Sequence, residues 1–346
     1  MEVTGNINML KGIGVALLSS MMLSSCGLIN DYESDCPVQL RVKLVYDYNM
    51  KFVDAFQSEV TSVNVWAFDT ATGQRVWQAS ASGEELLMEN GFVIETPLEA
   101  GSYDFVAWCG LEGNTSFDLS TYEPQSRTDL EVTLNTIESG DLNISDSELS
   151  GLYHGEVLEY TFAPVFNQST IEDVTIPLTK DTNSIKVLLQ NMDGAELNSA
   201  DFSMSITDAN SLLAWNNSVL PGPTVTYEPW ITSYGVIGDT ETPTRAVTTV
   251  SALLSEFSMS RLIDGQECWL TVTRHTDGKD IIHIPVIEYL LLIKGHYGNM
   301  TDQEYLDRQD DYSMTFILDD SSNWNVSAGI YINSWAVVPP QNEEGI

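Results

Sequence analysis

Basic residues are scarce. The 346-residue chain has 14 Lys and Arg against 50 Asp and Glu, a formal charge of −36. A nucleic-acid surface needs clustered Lys and Arg to neutralise phosphate, so that class is excluded. Docking on anionic lipid by charge alone is excluded for the same reason. Long apolar runs are also lacking. The run Ile13 to Leu23 is about half of what spans a bilayer, and no other segment is long and apolar enough. Only four cysteines occur (Cys26, Cys36, Cys109 and Cys268), with no CxxC or Cys/His spacing suited to zinc. Only four histidines occur (His154, His275, His283 and His296), none in a recognisable nucleophile context. Gly-x-Ser-x-Gly, His-Glu-x-x-His, P-loop and dinucleotide glycine patterns are missing. With so many acids, carboxylate pairs arise by chance and do not single out a glycosidase. The sequence predicts no catalytic residue, metal or cofactor, and a protein that is not an enzyme.

What remains is apolar surface in short pieces. The chain is 43% hydrophobic and 10% aromatic, enough to offset chain entropy, so the acidity belongs to a folded body. Its length suggests two domains. Period-two alternation recurs: Leu40, Val42, Leu44; Val63, Val65, Ala67; Tyr103, Phe105, Ala107; Leu130, Val132, Leu134. It returns at Val174, Ile176, Leu178; Ile185, Val187, Leu189; Phe202, Met204, Ile206; Leu270, Val272; Met314, Phe316, Leu318; Ile330, Ile332. Many short strands of this kind predict an all-β chain of two β-sandwiches. Helical signals are few. Pro285 to Gly295 reads as a helix or a buried strand, and Thr301-Asp302-Gln303-Glu304 is a capping box opening a short helix. Residues 111–128 and 135–150 read as loops. The polar stretch near 163–172 marks the boundary, giving an N-terminal sandwich over 36–168 and a C-terminal one over 169–346.

The start of the chain reads as an address. Lys11 precedes the short apolar run, as in a signal peptide, and Met9 is an alternative start. Leu23-Ser24-Ser25-Cys26 resembles a bacterial lipobox, in which the cysteine is lipidated and becomes the first residue. Residues 1–25 would then be the signal peptide and 26–35 an acidic tether with Asp31, Glu33 and Asp35. Attachment to the membrane is expected through lipid on Cys26, without a spanning segment. That compartment permits a disulfide. Cys36 opens the first strand and Cys109 closes a later one, which makes them the expected pair, with Cys268 a buried thiol.

Ordered motifs carry a family resemblance. They are Asp35-Cys36-Pro37, then Leu40-x-Val42-x-Leu44-x-Tyr46-Asp47-x-Asn49-Met50, then Val63-x-Val65-x-x-Phe68-Asp69 with Gly73. Next come Tyr103-x-Phe105-x-x-Trp108-Cys109-Gly110-Leu111 and Leu152-Tyr153-His154-Gly155. The last are Asp302 to Arg308, Tyr312-x-Met314-x-Phe316-x-Leu318, Trp324, and Ile330-x-Ile332-Asn333-x-Trp335. Together they resemble the FimB-like anchor lipoproteins of Bacteroidetes fimbriae over nearly the whole mature chain; residues 210–260 depart most. Residues 27–35 resemble the surface-export tether of such lipoproteins. The resemblance implies two tandem transthyretin-like β-sandwiches. It also implies an outer-membrane anchor at the fimbria base that engages the stalk subunit by strand addition and limits length. Tip and accessory subunits share the broad family.

A few residues suggest other chemistry. Asp69-Thr70-Ala71 resembles a Bacteroidetes O-glycosylation acceptor on Thr70, and equally a polar turn. Trp215 and Trp230 flank Pro221-Gly222-Pro223 and are the candidate contacts of an alternative, glycan-binding surface lipoprotein. Asp277-Gly278-Lys279-Asp280 reads as a hairpin turn, with calcium the lesser alternative. His154 and His283 are expected to be structural, His283 half-buried in a strand.

Overall fold

The computed structural model describes residues 38–87, 91–164, 169–237, 250–319, 321–324 and 330–337. The expected signal peptide, Cys26, the expected tether and Cys36 lie outside these residues.

The first body is built on β1 (Val38–Val45), whose Leu40, Val42 and Leu44 point inward while Arg41 and Lys43 point outward. β1 lies between β4 (Val93–Glu95), antiparallel, and β11 (Thr170–Pro177), parallel over eight rungs from Val38↔Thr170 to Val45↔Pro177. Against it packs a five-stranded sheet of β2 (Ser62–Asp69), β3 (Arg75–Ser82), β5 (Gly101–Cys109), β10 (Tyr153–Phe162) and β12 (Thr179–Lys180), in the order β12-β10-β5-β2-β3. The short helix α1 (Phe56–Glu59) adds Phe56, whose ring stacks on Phe92.

Both faces of β2 and β5 are buried, which is why these strands are apolar almost without alternation. Val63, Val65, Phe105 and Ala107 enter the core shared with β1. Trp66, Phe68, Val106 and Trp108 enter a second core on the opposite face. That face is covered by the segment that follows β5. It holds β7 (Glu131–Leu134), the strand expected from Leu130, Val132 and Leu134, while the stretches expected as loops hold β6 (Phe117–Leu119), β8 (Ile137–Ser139) and β9 (Leu142–Ser145).

The second body has two six-stranded sheets. One contains β13 (Thr182–Asn191), β17 (Ile231–Ile237), β18 (Val250–Ser260), β21 (Asp311–Leu318), β22 (Ile330–Ile332) and β23 (Trp335–Val337), in the order β17-β18-β13-β21-β22-β23. The other contains β14 (Phe202–Asp208), β16 (Val225–Tyr227), β19 (Trp269–Arg274) and β20 (Lys279–Pro285), completed by β8 and β9 from the first half, in the order β20-β19-β14-β16-β9-β8. β15 (Leu212–Ala214) pairs in turn with β7. The two halves therefore exchange strands: β7 takes one from the second half, and β9 is given to it.

The chain is all-β sandwich as expected, but it crosses between bodies later than residue 169. Val174, Ile176 and Leu178 belong to the core around β1, so the passage falls at 178–182. Local alternation identifies such a strand but not its remote partner. Pro285 ends β20 and precedes α2 (Val286–Leu291), so of the two readings of that segment the helix holds and the buried strand does not. Thr301 Oγ1 accepts a hydrogen bond from the Glu304 N–H (3.0 Å) and opens α3 (Asp302–Arg308).

Candidate functional site

Many of the motif residues gather at the junction between the bodies. Asp181 is fully buried where the chain crosses. Asn217 Nδ2 donates to its Oδ1 (2.7 Å), and Arg261 Nε lies 3.8 Å away. Among the described residues no donor reaches Asp181 Oδ2. Burial pushes this carboxyl up to about 7, against the pull of Arg261 and Asn217. Arg261 forks onto Asp307 of α3, with Nε and Nη2 at 2.9 and 2.8 Å from the two oxygens. Gln303 Nε2 donates to the same Asp307 (2.8 Å). From the other body, the Met50 N–H donates to the Arg308 carbonyl (3.1 Å), and the Tyr48 ring lies 3.9 Å from the Arg308 guanidinium. Lys180 Nζ bridges Asp310 (2.6 Å) and Glu59 (3.3 Å). The Asp302-to-Arg308 motif is thus a clamp holding one sandwich against the other.

His154 belongs to the same junction. Its ring is buried 4.6 Å from Trp108, and Nε2–H donates to the Trp215 carbonyl at 2.8 Å. Burial lowers its pKa to about 3, partly offset by that hydrogen bond, so it is neutral in ordinary media. The next residue must be glycine. A Cβ on Gly155 would meet the Pro177 carbonyl oxygen and Ile176 Cγ2 at 2.6 Å.

A different feature opens in the second body. β14 pairs with β19 from Phe202 to Thr207, but on its other side β16 pairs only Ile206 to Asp208. The chain leaves the sheet at Glu228-Pro229, and Pro229 has no N–H to continue the ladder. A groove of about 600 Å³ remains beside residues 202–205. Phe202, Ser203, Met204 and Ser205 line it, with Thr232 and Leu253 from the opposing sheet.

The remaining candidates are dispersed. Cys109 is a buried thiol in the first core, with its pKa raised by burial; its expected partner Cys36 is outside the described residues. Cys268 is likewise buried. Thr70 sits at the end of β2, half-buried, and its hydroxyl donates to Asp104 Oδ1 (3.3 Å). Its neighbour Asp69 accepts from the Thr72 N–H (2.7 Å), so the three-residue motif is part of the β2–β3 turn. Trp215 lies under Arg127, 4.3 Å from ring to guanidinium, and packs against the second core. Trp230 lies elsewhere, its backbone N–H donating to the Glu256 carbonyl (3.0 Å). Asp277 and Gly278 lie in the β19–β20 turn and Lys279 and Asp280 open β20; Arg274 pairs with Asp277 (2.7 Å) and lowers its pKa to about 2. His283 is exposed, stacked on Trp269 at 4.6 Å, where half-burial was expected; a register shift in the β19–β20 ladder turns it outward. Among the described residues no cluster of three or more His, Cys, Asp or Glu could hold a metal ion, and no helix is long and apolar enough to cross a membrane. Sequence reasoning missed the clamp residues Asp181, Arg261 and Asn217 and the groove at 202–205. Only the early end of β16 at a proline hinted at the latter.

Comparison with known proteins gives these features a setting. No curated protein matches the sequence. Among solved structures, a candidate adhesin from Bacteroides thetaiotaomicron is 35% identical, with a TM-score of 0.75 over 88% of this chain and 99% of that one. A candidate polysaccharide-binding protein from the same organism is 27% identical, with a TM-score of 0.71 over 89% and 99%. The fimbrial anchor protein Mfa2 from Porphyromonas gingivalis shares the fold at 15% identity, with a TM-score of 0.62 over 88% and 99%. The family model of the fimbrillin-A associated anchor proteins Mfa1 and Mfa2 matches residues 32–339. With the two sandwiches, the clamp and that match in hand, the chain belongs to the fimbrillin-A associated anchor protein family.

Proposed function

We propose that this protein is a lipid-anchored fimbrial anchor or accessory subunit of the outer membrane. It holds a filament subunit by strand addition and limits filament length. The observation that carries the reading is the family match over residues 32–339, which begins shortly after the lipobox cysteine Cys26. Lipid on Cys26 supplies the hold on the membrane, because a surface of charge −36 does not supply it electrostatically. Strand addition provides main-chain hydrogen bonds for affinity and side-chain pockets for register. The signal peptide of residues 1–25, the tether of 26–35, the Cys36–Cys109 disulfide and a glycan on Thr70 belong to this reading as features of an exported surface protein.

The alternative, a glycan-binding surface lipoprotein, draws on the name of the 27% identical relative. Its aromatic contacts are weak candidates, since Trp215 already packs under Arg127. A strain lacking the protein should shed its fimbriae or make longer ones. Normal cell-attached filaments in that strain, with purified protein retained on a polysaccharide column, would reverse the choice. Cys26→Ala tests the lipid separately: the variant should leave the outer-membrane fraction, and its retention there would refute lipid anchoring.

A further inference from the structure

The geometry points to the groove beside residues 202–205 of β14 as an acceptor for an extended segment of a filament subunit. This inference rests on the fimbrial reading above and assigns it a place. The groove is the continuation of an existing lane. β16 fills that lane against Ile206, Thr207 and Asp208, then stops at Tyr227. Alongside Phe202 to Ser205, no strand occupies it among the described residues. At roughly 3.3 Å per residue, the vacant length is about 13 Å, room for four residues of a strand. Residues from both faces of β14 line the opening: Phe202 and Met204 from the core side, Ser203 and Ser205 from the outer side.

Within β14, the core-facing residues beside the groove are the least completely buried. Phe202 and Met204 keep 8% and 7% of their surface, while Ile206 next along the strand keeps 0%. Val272, opposite Met204, and Leu270, opposite Ile206, are fully buried. A strand in the lane would place an apolar side chain opposite Met204 and cover both residues, since directly opposed residues share a face. The occupant is therefore a strand with alternating apolar residues. It should carry no carboxylate beside the groove, because Glu228 lines the opening and the chain as a whole is strongly acidic.

Two acidic side chains on the outer face would reject such a strand while leaving the core untouched. Ser203→Glu with Ser205→Glu should raise the fimbriae shed into the medium about tenfold, with membrane retention and melting temperature as in the parent. Ser80→Glu, on the edge strand β3, should leave attachment intact. A photo-crosslinking residue at position 205 should join to a filament subunit within one extended segment. Parental attachment in the double variant, or crosslinks only to a second copy of this chain, would overturn the groove assignment. If the strain lacking the protein sheds fimbriae and the double variant does not, the groove falls and the anchor reading stands. If the strain lacking the protein keeps normal fimbriae, both fall together.

Discussion

Single residues at the junction have effects that their type alone would not suggest. Gly155 is required for space: a methyl group there meets backbone as well as side chain. Gly155→Ala should cost about 1–3 kcal/mol, read from urea unfolding, as overpacking does in close-packed interiors. The buried titrating groups oppose one another. His154 is lowered to about 3, so between that value and its unfolded pKa near 6.5 the unfolded chain binds more protons, and stability rises with pH. Asp181 is raised to about 7, so above its unfolded value near 3.9 the folded chain binds more protons, and stability falls as pH rises through that window. Asp208, raised to about 6 by burial, acts in the same sense as Asp181. Asp181→Asn removes one of these slopes. The variant should gain melting temperature relative to the parent as pH is raised from about 4 to about 7, and hold a constant difference above. A difference independent of pH would mean that Asp181 is ionised throughout.

At the scale of elements, α3 matters more than its seven residues suggest. It supplies Asp307 to Arg261, Gln303 to Asp307 and the Arg308 carbonyl to Met50 of the other body. Arg261→Met leaves Asp181 and Asp307 without their buried cation and should destabilise by about 3–5 kcal/mol. Hydrogen exchange across 302–308 should quicken, because the clamp loses its centre. The cap on this helix was legible in sequence, since Thr301 and Glu304 stand at the spacing a cap requires. So were the long strands such as β13 and β21, where alternation runs over several residues. β8, β9, β15 and β16 were not. They are three or four residues long, too short for a period to register, and β9, β15 and β16 are defined by partners far away in sequence. For the same reason the passage at 178–182 was placed too early: β11 alternates like any strand, and only its parallel pairing with β1 assigns it to the first body. The clamp was half legible. Its α3 residues lie in a motif that resembles the family pattern, while Asp181 and Arg261 look like two more charges in a charged chain.

The whole molecule is one structure with two cores, because strands are shared. β7 depends on β15, and β9 depends on β16. A fragment ending at Lys180 should therefore lack the partners of both and fail to give a monodisperse, cooperatively melting protein. A well-behaved fragment with a sharp melting transition would show that the exchanged strands are dispensable. The parallel pairs have a mechanical consequence as well. β1, the first described strand, runs beside β11 for eight rungs, and β13 runs beside β21 from Ser184↔Asp311 to Asn191↔Leu318. A pull on the chain ahead of Val38 acts along β1, so the rungs are loaded together in shear and do not peel one by one. Rupture force measured by pulling from that end should exceed the force measured by pulling across the same strands, and equal forces in the two geometries would deny the first sandwich any such resistance to drag.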